Sequence, residues 1–276
     1  MMRLGIFAKT FARPALDDAL DAVAAAGLHE LQFNLALVGG PSLPAAIAPA
    51  TAAAVRQALA ERELSMAAVS GTYNMAHPDP AARDAGGAAL AALIARAPDL
   101  GTSVVTVCTG TRDAQDMWRA HPDNTTAAAW ADMLASMAAA AQAAEAHGVT
   151  IAVEPEHGNV VRDAPAARRM LDELGSAHVR IVVDAANLVE PGQPERQERI
   201  LREAFELLGE DLVLAHAKDV LEDGTVVAAG SGILDYELYL ELLRAAGYDG
   251  PLVLHGLAED AVPGAVAFLR ARLTAP

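Results

Sequence analysis

The chain has 276 residues, of which 53% are hydrophobic, and a formal net charge of −16. The acidity and the absence of a Lys/Arg cluster argue against a nucleic-acid partner, because a phosphate backbone is bound by clustered cations. No uncharged run of about 18 apolar residues predicts a membrane span. Cys108 is the single cysteine, which excludes an internal disulfide and favours a reducing, cytoplasmic location.

Strand-like and helix-like segments alternate from one end of the chain to the other. Apolar runs rich in Val, Leu and Ile predict strands at 4–9, 31–35, 66–72, 103–110, 150–156, 179–184, 212–218 and 252–257. Between them, a helix is predicted to begin near Pro14, and others cover 44–63, 80–100, 126–147, 164–174, 194–208, 235–246 and 261–273. Alanine, the strongest helix former, dominates the helices at 80–100 and 126–147.

Continuous apolar strands favour a parallel sheet that is covered by helices. A doubly wound open sheet has the same local pattern, so periodicity alone does not decide between the two. About eight βα units and polar residues at the strand ends favour a closed barrel. The sequence therefore predicts an α/β protein, a single (β/α)8 TIM barrel that forms one domain over residues 1–276.

Four polar residues stand at the ends of four apolar runs in the second half of the chain: Glu154, Asp184, His216 and His255. In a parallel barrel these strand ends meet on one face. Two carboxylates and two imidazoles form a mixed oxygen and nitrogen set that suits one divalent ion, Mn²⁺, Zn²⁺, Mg²⁺ or Co²⁺. Ordinary roles compete: a strand-end Asp often caps the next helix, and a strand-end His is often a hydrogen-bonded rim residue.

Side chains two positions apart on a strand face the same side. Glu156 is thus expected beside Glu154, and Lys218 beside His216. Lys218 is a candidate for stabilising enolate charge or contacting an anionic substrate. Alternatively, it pairs with Asp219 or with Glu154.

The segments VEPEHGN, VVDAANL, LAHAKD, AAGSGILDY and GYDGPLVL resemble those of the xylose isomerase-like TIM barrels, the superfamily of sugar phosphate isomerases and epimerases. The resemblance extends over nearly the whole chain. It implies that Glu154, Asp184 and His216 ligate a metal. The family's fourth ligand is Glu, whereas this chain has His255. In the family's epimerases, two glutamates exchange a proton next to a carbonyl and the metal stabilises the enediolate.

The resemblance therefore implies a metal-dependent isomerase or epimerase of a small sugar, with or without a phosphate. Glu154 or Glu156 would move the proton, assisted by His255 or Lys218, and His255 would be a ligand or an acid/base group. Two alternatives stay open: a metal-dependent dehydratase of a cyclic polyol ketone such as an inosose, and a barrel that binds a sugar without catalysis. Relatives of this kind are often homodimers or homotetramers.

Further polar and aromatic residues follow the strand ends, where barrel enzymes contact their substrates. Asn187 stands where many relatives have His. His157 and Asn159 follow the fifth strand, and Arg112 and Trp118 lie in a long loop after the fourth. All five are predicted to bind substrate, although Arg112 and Trp118 have an ordinary interpretation as loop residues.

Overall fold

Eight parallel strands close into a barrel in the computed structural model, which describes residues 2–189 and 194–273. Its sixth and seventh strands pair to close it, and its first strand pairs with both the second and the last. The predicted single (β/α)8 barrel is therefore confirmed. The strands are β1 (Arg3–Phe7), β2 (Glu30–Phe33), β3 (Ser65–Ser70), β4 (Val104–Val107), β5 (Thr150–Val153), β6 (Val179–Asp184), β7 (Leu212–Val220), β8 (Val226–Ala228) and β9 (Pro251–Leu254).

Helices surround the barrel and connect its strands. They are α1 (Leu16–Ala25), α2 (Pro49–Ala60), α3 (Pro80–Leu100), α4 (Ala127–His147), α5 (Ala164–Leu174), α6 (Ala185–Leu188), α7 (Gln197–Leu208), α8 (Tyr236–Ala245) and α9 (Val262–Leu273). Within the described part of the chain, no helix is both long enough and apolar enough to cross a membrane.

Among the elements that differ from the sequence prediction, which include the short unpredicted helix α6, two differ for a reason that the chain shows. Helix α2 begins at Pro49 rather than at residue 44, because Ala48 is extended (φ −65°, ψ 140°), as a residue before proline prefers to be. Strand β8 was not predicted, since three residues are too few to show a pattern. It pairs antiparallel with the outer part of β7, and Asp223-Gly224 between them is a hairpin turn signal.

The strands separate two layers of core. Side chains that point outwards pack against the helices in one large cluster. A smaller cluster fills the barrel interior with Ala68, Ala152, Val182, Leu214 and Val253. The last four lie two positions before the four predicted metal ligands, and strand alternation aims residues two apart in the same direction. The polar strand ends are therefore held one layer above the apolar interior, at the barrel mouth.

Candidate active site and metal centre

Three of the four predicted ligands meet at the mouth. Asp184, His216 and His255 each offer one ligand atom, and these atoms lie within 4.8 Å of one another. The fourth, Glu154, is adjacent, with Oε1 at 3.2 Å from Nδ1 of His216. Oδ2 of Asp184 is 3.7 Å from the same nitrogen. Strands β5, β6, β7 and β9 thus bring two carboxylates and two imidazoles together.

Among the described residues, two buried atoms of this group have no hydrogen-bond partner, Nδ1 of His255 and Oδ2 of Asp184. The Asp184 oxygen is compensated by an ion pair with Lys218, whereas Nδ1 of His255 has no partner there, which is costly in a folded protein. The lone pair of that nitrogen and the neighbouring carboxylate and imidazole form a donor set that fits a divalent metal ion of the kind that Asp and His ligate. Asp184 also caps α6, because its Oδ1 accepts a hydrogen bond from the backbone N–H of Ala186 at 3.0 Å. Its two oxygens therefore face different partners.

His255 lies in a stack of three rings. Its ring centroid is 4.8 Å from that of His216, with the planes 1° apart, and 5.2 Å from that of Phe7. Burial, followed by the positive charge of His216, lowers the pKa of His255 to about 4. The imidazole is therefore neutral near pH 7 and its nitrogen lone pair is available to a cation.

The charges of the site compensate one another. Burial by itself would lower the pKa of His216, but the carboxylates of Glu154 and Asp184 outweigh it and raise that pKa to about 9. Burial would also lower the pKa of Lys218, but the nearby carboxylates, chiefly that of Asp184, outweigh it and raise that pKa. The pKa values of Glu154 and Asp184 are lowered in return, against the effect of their own burial. Without a metal, two buried anions thus face two buried cations.

Lys218 is held in the site by two contacts. Its Nζ lies 3.2 Å from Oδ2 of Asp184 and donates to Oδ1 of Asn187. The Nδ2 of Asn187 donates in turn to Oε1 of Glu154 at 2.7 Å. The amide therefore links the ammonium to the Glu154 carboxylate. The ion-pair partner of Lys218 is Asp184 rather than Asp219 or Glu154, the two partners considered from the sequence.

A cavity of about 370 Å³ opens beside these residues. Both carboxylates of its wall, Glu154 and Glu156, follow β5. The Glu156 carboxylate makes no hydrogen bond or ion pair within residues 2–189 and 194–273, and burial, opposed by the charge of Lys218, raises its pKa to about 7. The other lining residues are Phe7, Lys9, Gln32, Asn34, Ser42, Ser70, Thr72, Thr106, Val107, Cys108, Met117, Trp118, Lys218 and His255.

Trp118 lies in the loop after β4, and Asn159 forms hydrogen bonds with the backbone of that loop. Trp118 lines the cavity at its rim and is 53% exposed. Asn159 is buried and does not line the cavity; its Oδ1 accepts from the N–H of Gly110 at 2.7 Å and its Nδ2 donates to the carbonyl of Met117 at 3.2 Å. Asn159 therefore fixes the loop that carries Trp118.

Arg112 and His157, both predicted to bind substrate, lie outside the cavity. The Arg112 guanidinium donates to Asp132 at 2.6 Å and to the carbonyl of Ala76 at 3.1 Å. The ring of His157 has its Nε2 at 3.2 Å from the carbonyl of Val189. The sequence placed both residues in the correct loops, but it does not show which way a loop side chain points.

Gln32 was missed by the sequence interpretation although it contacts a predicted ligand. Its Oε1 lies 2.8 Å from Nε2 of His216. The available signal was a polar residue inside the apolar strand β2, since a buried polar side chain is more informative than a buried apolar one.

The chain forms a closed barrel with a candidate metal centre at the carboxyl-terminal face of its strands. It is therefore a (β/α)8 protein of the kind that places its functional groups at this face. The family model described as "Xylose isomerase-like TIM barrel" matches residues 20–272. The chain therefore belongs to this family, as the sequence motifs predicted.

Solved structures with the same fold include several sugar epimerases. The 3-keto-D-glucoside 4-epimerase from E. coli has a TM-score of 0.77 at 19% identity, over 98% of this chain and 100% of that one. An L-ribulose 3-epimerase has a TM-score of 0.75 at 19% identity, over 99% and 95%. The D-psicose 3-epimerase from Clostridium cellulolyticum H10 has a TM-score of 0.75 at 17% identity, over 99% and 100%. No curated protein matches the sequence.

Proposed function

We propose that the protein is a divalent-metal-dependent isomerase or epimerase of a keto or aldo sugar. The observation that carries the proposal is the cluster of Asp184, His216 and His255, whose ligand atoms lie within 4.8 Å of one another, beside Glu154. Among the described residues, Nδ1 of His255 is buried there without a hydrogen-bond partner. The Glu156 carboxylate, which has no partner among the described residues, lines the same cavity. Several solved structures with the same fold are epimerases that are named for a keto sugar or a ketose. This similarity supports a carbohydrate substrate.

The ion would be held by Glu154, Asp184, His216 and His255. When bound, it would supply Lewis acidity to a substrate carbonyl, which makes the neighbouring carbon-bound proton easier to remove. The cavity volume of about 370 Å³ is near the lower end of the range of roughly 300–1,000 Å³ for ligand pockets. That size suits a single sugar unit.

Glu156 takes the proton in this scheme. Glu154 is engaged by His216 and Asn187, whereas the Glu156 carboxylate faces the cavity without a partner among the described residues. A carboxylate there removes the proton next to the carbonyl. Its return to the neighbouring carbon gives the isomer, whereas an epimer forms when a proton is delivered to the same carbon from the opposite face. Lys218, fixed against Asp184, keeps a positive charge near the developing negative charge.

The direct test is proton exchange into substrate. The protein is freed of metal, reconstituted with Mn²⁺, Zn²⁺, Mg²⁺ or Co²⁺, and incubated in D₂O with ketoses and aldoses, free and phosphorylated. We expect NMR to show deuterium on a carbon next to the carbonyl, and much less of it with Glu156→Gln, the matched control. Loss of water from the substrate would identify the dehydratase instead. If a sugar raised the thermal stability of the protein but no deuterium entered it, the result would favour a barrel that binds a sugar without catalysis.

The oligomeric state, a homodimer or a homotetramer by resemblance, stays a prediction, which light scattering in solution checks.

A further inference from the structure

The ring of His216 has polar neighbours on two sides. Its Nδ1 faces the carboxylates, 3.2 Å from Oε1 of Glu154 and 3.7 Å from Oδ2 of Asp184. Its Nε2 points the other way, towards Oε1 of Gln32 at 2.8 Å. Because a carbonyl oxygen only accepts, that short contact requires a proton on Nε2.

The amide of Gln32 has a second anchor. Its Nε2 donates to Oγ1 of Thr106 at 3.2 Å, while its Oε1 faces His216. Gln32 comes from β2 and Thr106 from β4, on the opposite side of the mouth from β7. Each is 3% exposed. A chain of two buried hydrogen bonds therefore runs from the β4 hydroxyl through the amide to the imidazole.

We propose that Gln32 is a positioning residue of the metal centre: it holds the ring proton of His216 on Nε2, so that the lone pair of Nδ1 is directed at the carboxylates of Glu154 and Asp184, where the ion would be held. The inference rests on the proposed function, because it concerns the same metal site. Metal-binding histidines commonly donate their second N–H to a carbonyl or carboxylate, which fixes the ring and its tautomer. Here that acceptor is a side-chain amide from a distant strand.

The alternative tautomer would be harmful at this position. A neutral imidazole with its proton on Nδ1 would direct an N–H at the two carboxylates, and its lone pair would face away from them. Such a ring forms a hydrogen bond to Glu154 but offers no electron pair to a cation in the cluster. The contact to Gln32 disfavours that state because it requires the proton on Nε2.

The test compares metal affinity across variants that differ in their acceptor. In Gln32→Met the acceptor is lost, and we expect the Kd for Zn²⁺ and for Mn²⁺ to rise by about 10- to 100-fold. In Gln32→Glu an acceptor remains, so affinity is retained. Thr106→Val removes only the anchor of the amide and should give a smaller loss. The matched control is Ser70→Ala, which alters a polar side chain of the same cavity that makes no hydrogen bond within the described residues, and should leave the Kd unchanged.

A spectroscopic readout separates positioning from general loosening of the site. In the zinc-loaded wild type with ¹⁵N-labelled histidine, NMR should show His216 coordinated through Nδ1, with a slowly exchanging proton on Nε2. In zinc-loaded Gln32→Met that proton should exchange faster. Thr106→Val provides the same comparison if Gln32→Met does not fold.

Coordination through Nε2, or wild-type Kd values in Gln32→Met and Thr106→Val alike, would overturn the role of Gln32 while leaving the metal centre intact. Failure of the wild type itself to bind any of the ions would overturn the metal centre and this inference together.

Discussion

Replacing Lys218 by Met should destabilise the metal-free protein much more than the metal-loaded protein. Lys218 is 7% exposed and its Nζ lies 3.2 Å from Oδ2 of Asp184, which is 1% exposed. Methionine fills much of the same space but leaves the Asp184 charge buried without its partner. Removing one member of a buried ion pair costs about 3–5 kcal/mol. At roughly 2 °C per kcal/mol for a chain of this size, Tm should fall by about 6–10 °C.

With a metal bound, the ion compensates Asp184 directly, and the loss of a neighbouring ammonium also removes a repulsion. We therefore expect Mn²⁺ or Zn²⁺ to recover at least half of the lost Tm. Calorimetry in chelator and then in excess metal measures both values. The control is Lys9→Met, at an exposed lysine of the same cavity without an ion-pair partner among the described residues, which should change Tm by no more than about 1 °C. An equal loss in both states would refute the placement of the ion beside Asp184.

Three further predictions concern the mouth of the barrel. Glu156→Gln should slow deuterium exchange into substrate by about 100-fold or more and leave the metal content, measured by elemental mass spectrometry, unchanged. The pKa of His216 in the metal-free protein is raised to about 9. Below that pH, metal binding must therefore displace a proton from Nδ1 of His216. Affinity should thus rise with pH and level off above that value, with proton release seen by calorimetry in buffers of different ionisation enthalpy; affinity independent of pH would contradict this. Asp219→Ala should lower the free energy of unfolding by about 3 kcal/mol or more in urea, because the carboxylate accepts backbone N–H groups of Gly230 and Gly232 at 3.0 and 2.9 Å. Asp219→Asn, which keeps one acceptor, should lose less.

The barrel was predictable because each strand has a local signature and its side-chain alternation has a fixed period. Val182 and Asp184, or Leu214 and His216, are two residues apart, so the apolar interior residue of the strand fixes the direction of the polar residue that follows it. Closure then brings strand ends together that are distant in sequence. That is why Asp184, His216 and His255 could be grouped before their distances were known.

Contacts between side chains of non-adjacent strands were not predictable in the same way. Gln32 of β2 and Thr106 of β4 meet over the intervening strand β3, and no spacing along the chain encodes that pairing. Arg112 turns towards Asp132 because loop side chains follow tertiary partners rather than a period. The amide of Asn187 bridges Lys218 and Glu154, which depends on side-chain rotamers that sequence patterns do not specify.

The metal content of the purified protein tests the central claim most directly. Elemental mass spectrometry of wild type prepared without chelator should find about one divalent ion per chain. His255→Ala, prepared side by side, should lose the ion or bind it more weakly. One ion held equally well in both proteins would remove His255 from the ligand set. No ion in the wild type, even after Mn²⁺ or Zn²⁺ is supplied, would contradict the metal centre and the proposed metal-dependent chemistry with it.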